Sequence, residues 1–218
     1  MPSAGDTLTV LDDATRALVR LSAVVTAGTD DSIRDAIARA VQVIPPVHVE
    51  ELLLQSYLFA GFPRALNAMR EWRRLVPTPP EGTTARDDGE HIQSDRSELA
   101  TWRHDGEVTC AAVYGAMYER LRHNIRGLHP RLDDWMITEG YGKVLSRPGL
   151  DLGRRELCIV AACAAARQDR QLLSHLHGAL NVGVAADVIG AALAALADLL
   201  GPGHTRSVEL LWARVRGK

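Results

Sequence analysis

The chain has little from which to build redox or metal chemistry. It holds three cysteines, Cys110, Cys158 and Cys163, in 218 residues. The odd number and the absence of a C-x-x-C pair argue against a disulfide framework or a zinc ribbon. A reduced, cytoplasmic setting is the simplest that suits free thiols. No apolar run approaches the roughly 20 residues that span a bilayer. The first residues, "MPSAGDTLTV", carry neither the basic region nor the apolar core of a secretory signal. Neither sign of charge is in excess: the formal net charge is −2, which gives no electrostatic footing for nucleic acid or an anionic membrane. Two local basic clusters, Arg70/Arg73/Arg74 and Arg120/Arg122/Arg126, read as solvated helix faces.

The familiar catalytic signatures are missing too. There is no G-x-S-x-G, no H-E-x-x-H and no Asp/Asn-rich calcium loop. "GYGKVL" (140–145) begins like a dinucleotide loop but lacks its third glycine. It also lacks the Ser/Thr that a phosphate loop needs after its lysine. No cofactor is implied.

What is present is helix-forming material. Apolar residues make up 46% and charged residues 24%, enough for a core and a soluble surface. Ala, Leu and Arg abound, aromatics are scarce at 5%, and Gly and Pro sit mainly at breaks. The expectation is all-α. Apolar periodicity and punctuation predict helices over 8–27, from Asp30 or Asp31 toward Pro45-Pro46, over 47–60 and over 63–75. Residues 77–105 mix Pro, Gly, Thr and charge, and read as a linker or surface excursion with at most a short helix near 97–103. Helices are predicted again over 107–126, 130–145, 153–166, 169–182, 185–200 and 204–216.

Laying residues 11–63 over 150–202 without a gap matches identical residues at Asp12, Arg16, Asp30 and Pro63, among others. The expected helices and breaks also fall in step. This suggests two related units: 1–76, a degenerate first copy, and 106–218, which adds an extra helix pair before the second. Under this alignment Glu156, His175 and His177 face Ala17, Ala36 and Ala38. A shared fold needs none of the three polar side chains, so they become candidates for chemistry in the second unit.

"QLLSHLHGALN" (171–181) poses an H-x-H pair. Leu172, Leu173, Leu176, Ala179 and Leu180 form a helical stripe, and on a helix residues i and i+2 diverge by about 200°. His175 and His177 therefore cannot easily share a metal, and no metal site is expected. Glu156 lies on the preceding helix, in "GRRELCIV". Two antiparallel helices joined by a short turn bring it within about one helical turn of His175's level. A partly buried carboxylate beside an imidazole suits general acid–base work. A structural ion pair, or a first-turn glutamate placed to suit the helix dipole, is the competing reading. Tyr114, Trp135 and Tyr141 are candidates for pocket lining or for packing.

"EGYGKVLSRPGLDLGRRELCIVAACAA" followed by "LLSHLHGALNVGVAADVIGAAL" resembles the carboxymuconolactone decarboxylase family, which includes alkylhydroperoxidase D-like proteins. The similarity is clearest over about 107–200, and "HVEELLLQSYLFAGFPRALNAMREW" (48–72) resembles the last two helices of the same family domain. The resemblance implies an all-α, alkylhydroperoxidase D-like helical bundle of two related repeats, assembling into a homo-oligomer and acting on a small molecule. Glu156 and His175 match the proton-relay residues of the peroxidase branch by spacing, while its two cysteine positions fall on Gln168 and Gln171. Without thiolates there is no peroxidatic nucleophile. Cys158 and Cys163, about 140° apart on a helix, are poor substitutes. The cysteine-free decarboxylase branch is matched by Arg147-Pro148-Gly149-Leu150 and by His175. That branch usually has arginine where this chain has His177. The resemblance thus implies a lyase-type site of Glu156 and His175, with Arg147, His177 and Tyr141 as substrate-binding candidates. A peroxide-handling protein without its cysteine pair and a non-catalytic helical oligomerisation or binding module are the alternatives.

Overall fold

Asp12 opens the first helix: its side chain accepts a 2.6 Å hydrogen bond from the Thr15 amide, and α1 runs Asp13–Ala27. Thr29 caps α2 (Asp30–Val43) in the same manner, and the chain leaves that helix before Pro45-Pro46. Pro46, whose missing N–H costs nothing at a first helical position, begins α3 (Pro46–Ala60). Gly61 takes φ +81°, open to glycine without strain, and turns the chain into α4 (Phe62–Leu75). The computed structural model describes residues 7–77 and 96–217. Most of the expected 77–105 excursion lies outside these residues.

Where the description resumes, the helix is longer than expected. α5 runs Arg96–Tyr114 unbroken, joining the short helix near 97–103 to the start of the one predicted over 107–126. The remainder of that predicted helix is interrupted by a 3₁₀ turn at Gly115–Met117, with Gly115 at φ +50°, before α6 (Tyr118–Leu128). α7 (Pro130–Trp135) follows, and then Met136–Leu145 is π-helical where one regular helix over 130–145 was expected. This wider turn accompanies a crossing in which two backbones touch. A Cβ on Gly142 would lie 1.8 Å from the Trp102 carbonyl oxygen, and one on Gly106 would lie 2.1 Å from that of Ile137. Apolar periodicity reports which face is buried, not how near the partner backbone comes.

The last elements are α8 (Leu152–Ala165), α9 (Asp169–Asn181), α10 (Ala186–Ala194), α11 (Ala197–Leu200) and α12 (Pro202–Arg216). The helix predicted over 185–200 is split at Ala195–Leu196. Among the described residues there is no β-strand, only an isolated bridge between Leu8 and Val184. Nor is any described helix long and apolar enough to cross a membrane.

α1 and α8 pack together at the centre, joined by a 2.7 Å hydrogen bond from Ser22 Oγ to the Cys158 carbonyl. One apolar core, including Leu18, Ile37, Leu52 and Trp72, fills the α1–α4 side. The other, including Leu157, Leu172, Leu176 and Ile189, fills the α8–α12 side and takes in Val113 of α5. A buried charge network stitches the two. Arg155 of α8, fully buried, donates to Glu51 Oε2 at 2.7 Å, to Gln55 Oε1 at 3.1 Å, and to the carbonyls of Leu150 and Arg147. Glu51 and Gln55 come from α3. Burial lowers the pKa of Arg155, and the bond to Glu51 opposes that shift.

Candidate acid–base site

α8 and α9 are joined by a tight turn in which Arg167 takes a left-handed conformation, φ +57°. The turn sets the two helices side by side, and their facing positions carry Glu156 and His175. Glu156 is fully buried and His175 is 6% exposed. His175 Nδ1 lies 2.8 Å from Glu156 Oε2. With the carboxylate ionised, Nδ1–H is the donor, and the ring nitrogen left over is Nε2. The ring is held from two more sides. Phe59 of α3 meets it edge-on at 5.9 Å between centroids, and Tyr114 of α5 at 6.5 Å.

Gly178, one turn beyond His175, makes room for the carboxylate. A Cβ there would lie 2.7 Å from Glu156 Oε2 and from Val113 Cγ1. The other carboxylate oxygen, Oε1, is buried with no hydrogen-bond partner among the described residues. Leaving a buried acceptor unsatisfied costs about 1–3 kcal/mol, so stability alone does not favour a carboxylate here.

His175 lies in the wall of a cavity of about 510 Å³. The first two turns of α9 supply a polar strip of Arg170, Gln171, Ser174 and His175. The other walls are mainly apolar. Leu121 and Ile125 come from α6, Leu132 and Trp135 from α7, and Leu58 and Phe59 from α3. Tyr141 and Tyr114 complete the lining beside His175. A buried pairing fixes the α6–α7 wall: Asp133 accepts from Arg122 and Arg126, which hold its carboxyl below the usual range. Arg122 is therefore buried and paired, not part of a solvated face as its spacing suggested. Glu139, also lining the cavity, is occupied by a 2.5 Å hydrogen bond from the Tyr57 hydroxyl.

The surroundings of Glu156 keep neighbouring groups neutral. Burial pushes the Tyr114 phenol up to about 12 and raises that of Tyr141 well above its ordinary value. Burial likewise pushes the thiols of Cys110 and Cys163 up to about 12, and raises that of Cys158. All three cysteines are buried and free. A thiol that keeps its proton at neutral pH is not a nucleophile.

The five residues singled out from the sequence fall into two groups. His175 and Tyr141 line the cavity, and Glu156 lies buried behind His175, bonded to its ring. Arg147 and His177 do not line it. Arg147 turns toward α3, where its guanidinium grips Glu51 at 3.1 and 3.2 Å. That contact ties the turn before α8 to α3 and leaves Arg147 out of the cavity wall. His177 is half-buried on another side of α9, as its separation of about 200° from His175 requires. Trp135 and Tyr114 both line the cavity.

Sequence reasoning missed Arg170 and Ser174. A signal existed: 170, 171, 174 and 175 share one helical face by i, i+1, i+4, i+5 spacing. Leu58 and Phe59 carry no comparable signal, because their place in the wall depends on how α3 docks against α9.

Residues 130–211 match the model of the carboxymuconolactone decarboxylase family. That stretch takes in α7, the π-helical segment, both members of the Glu156–His175 pair and most of α12. "Peroxisomal protein 2" of Schizosaccharomyces pombe is 29% identical to this chain over 136 residues, a match that covers 62% of this chain and 60% of that protein. The apolar walls from α3 and α6 lie outside the family match, whereas the buried carboxylate–imidazole pair lies within it. Over residues 130–211, then, this chain is similar to the carboxymuconolactone decarboxylase family.

Proposed function

We propose that the chain is an acid–base enzyme, acting on a small carboxylate-bearing organic molecule by decarboxylation or a related proton transfer. The observation that carries this reading is the 2.8 Å contact between His175 Nδ1 and Glu156 Oε2 at the wall of a cavity of about 510 Å³. His175 is the proton carrier. Glu156 takes Nδ1, fixes the ring, and leaves Nε2 to exchange a proton with a ligand carbon. In decarboxylation the bond to the carboxyl carbon breaks and CO₂ departs. Its electron pair stays on the adjacent carbon, delocalised into a neighbouring unsaturated group. Nε2–H then protonates that carbon, and solvent restores the imidazolium. In the related reaction Nε2 removes a proton from a carbon next to such a group and returns it elsewhere. Tyr141 and Tyr114, neutral and beside His175, shape the pocket.

The buried thiols and Gln168 and Gln171 at the relay-cysteine positions support proton chemistry over peroxide reduction. The reading includes fused family repeats over 1–76 and 106–218, a homo-oligomeric assembly, and a cytoplasmic location suited to three unpaired cysteines. The printed name of the Schizosaccharomyces pombe relative calls that protein peroxisomal.

The test is a panel of unsaturated and oxo carboxylic acids followed by CO₂ release and by solvent-deuterium incorporation. His175→Gln is expected to lower the rate at least about 100-fold, the scale of a lost general acid–base group. Glu156→Gln should lower it less, because an amide oxygen can still accept from Nδ1–H. Wild-type protein inert to the whole panel, with ligand binding intact, would favour the non-catalytic binding module. Turnover undiminished in His175→Gln would remove His175 from the reaction.

A further inference from the structure

The cavity's polarity is divided between its walls, and the division specifies a ligand. The polar strip comes from α9, and Arg170 is the one arginine or lysine among the described lining residues. It is exposed, so it sits at the rim, and its guanidinium has no ion-pair partner among the described residues. The lining carboxylate, Glu139, is already engaged by Tyr57 and lies 3.5 Å from Lys143 Nζ. One free cation at the rim of an otherwise apolar cavity suits a single anionic group and a hydrocarbon body. A small, uniformly polar diacid would leave its second carboxylate among leucine, isoleucine and tryptophan, a costly burial of unpaired charge.

We propose that this pocket binds an apolar monocarboxylic acid, aromatic or with a chain of several carbons, whose carboxylate is anchored by Arg170 and whose body lies against Leu121, Ile125, Leu132 and Trp135. The proposal rests on the acid–base reading above for what happens next, but not for binding. Arg170 and His175 stand five residues and about 140° apart on α9, at the two borders of the lining strip, with Ser174 and Gln171 between them. An acid anchored at the rim therefore extends its first carbons past Ser174 and Gln171 toward Nε2. A carboxylate paired to a guanidinium is a poor one to lose as neutral CO₂, because its partner stabilises the charge that must disappear. For a ligand held this way, His175 moves a proton and the anchoring carboxylate is retained.

The experiment is calorimetric titration of the full chain with hexanoate, octanoate, decanoate and 2-naphthoate, each beside its neutral primary amide, with succinate as the polar diacid. The acids are expected to bind, each added buried methylene strengthening binding roughly fourfold. Arg170→Gln should weaken the acids about tenfold and change the amides less than twofold. His175→Gln should leave binding within about twofold while abolishing deuterium incorporation into oct-2-enoate, the unsaturated counterpart of octanoate. Succinate binding as tightly as decanoate would overturn the apolar body. Equal losses for acids and amides in Arg170→Gln would overturn the anchor. Normal binding by His175→Gln with undiminished exchange would leave this proposal standing and sink the acid–base reading instead.

Discussion

Helices α1 and α2 on one side, and α8 and α9 on the other, are two corners that differ in what lies between them. Their first helices begin alike. Asp12 accepts from the Thr15 amide, and Asp151, 139 residues later, accepts from the Arg154 amide at 2.9 Å. Beyond the caps they diverge. The α1–α2 corner holds an open cleft of about 450 Å³ lined by Ala17, Ala36 and Ala40, with Arg16, Arg20 and Arg39 around it. At the positions matching Ala17, Ala36 and Arg39 the α8–α9 corner has Glu156, His175 and Gly178. Here α5 covers the corner, and Val113 packs where a side chain on residue 178 would have to go. The difference shows what sealing a carboxylate requires: a covering helix, a glycine to admit it, and a partner for one of its oxygens. The first corner has none of these and carries alanine.

The comparison can be broken at several points. The largest expected effect is at the seam. Glu51→Ala removes the anion that holds the fully buried Arg155, and stranding a buried charge costs about 3–5 kcal/mol. Urea unfolding followed by circular dichroism measures this; a loss under about 1 kcal/mol would mean the network contributes little beyond an exposed pair. Next comes Gly178→Ala, which overpacks against Glu156 and Val113 and should cost about 1–3 kcal/mol. Arg39→Ala, at the matching place in the other corner, should stay within about 0.5 kcal/mol. Equal effects of the two substitutions would show that the corners are packed alike after all.

The thiols give a third contrast, since all three lie outside α1–α4. Cys110 and Cys163 titrate near 12 when folded, against an ordinary value of 9.0. Between about pH 9 and 12 the unfolded chain has released these protons and the folded chain has not. Stability therefore falls as pH rises, by about 1.4 kcal/mol per pH unit for each group. Cys163→Ala should flatten that slope, which melting temperatures at a series of alkaline pH values would record. The smallest effect is the most symmetrical. Asp12→Ala and Asp151→Ala each lose an N-cap worth about 1 kcal/mol, and near-equal shifts in the unfolding midpoint would put the two caps on a par.

The sequence carried a good deal of this. The helix start at Asp30, the break at Pro45-Pro46 and apolar spacing placed most helices because each signal is local. Glu156 and His175 were legible for the same reason: one short turn joins their helices, so counting residues sets their relative height. Arg147 was less so. A basic residue near a site is equally suited to substrate and to a buried carboxylate, and the deciding Glu51 lies 96 residues away. The π-helical segment and the unbroken α5 depend on how closely two backbones approach, and Gly106 and Gly142 do not announce one another. Arg170 was hidden by its ordinariness, an arginine in the first turn of a helix.

The seam has a consequence for dissection. Glu51 and Gln55 belong to α3, while Arg147 and Arg155 belong to the segment leading into and through α8. Divide the protein between them and one fragment inherits an acid from a dry interior, the other a pair of guanidiniums from the same place. Each fragment would expose as wounds the very groups that the intact chain hides. Neither half is therefore expected to fold without the other. A study of either should keep both, and an attempt to transplant the α8–α9 corner into another scaffold has to carry α3 along with it.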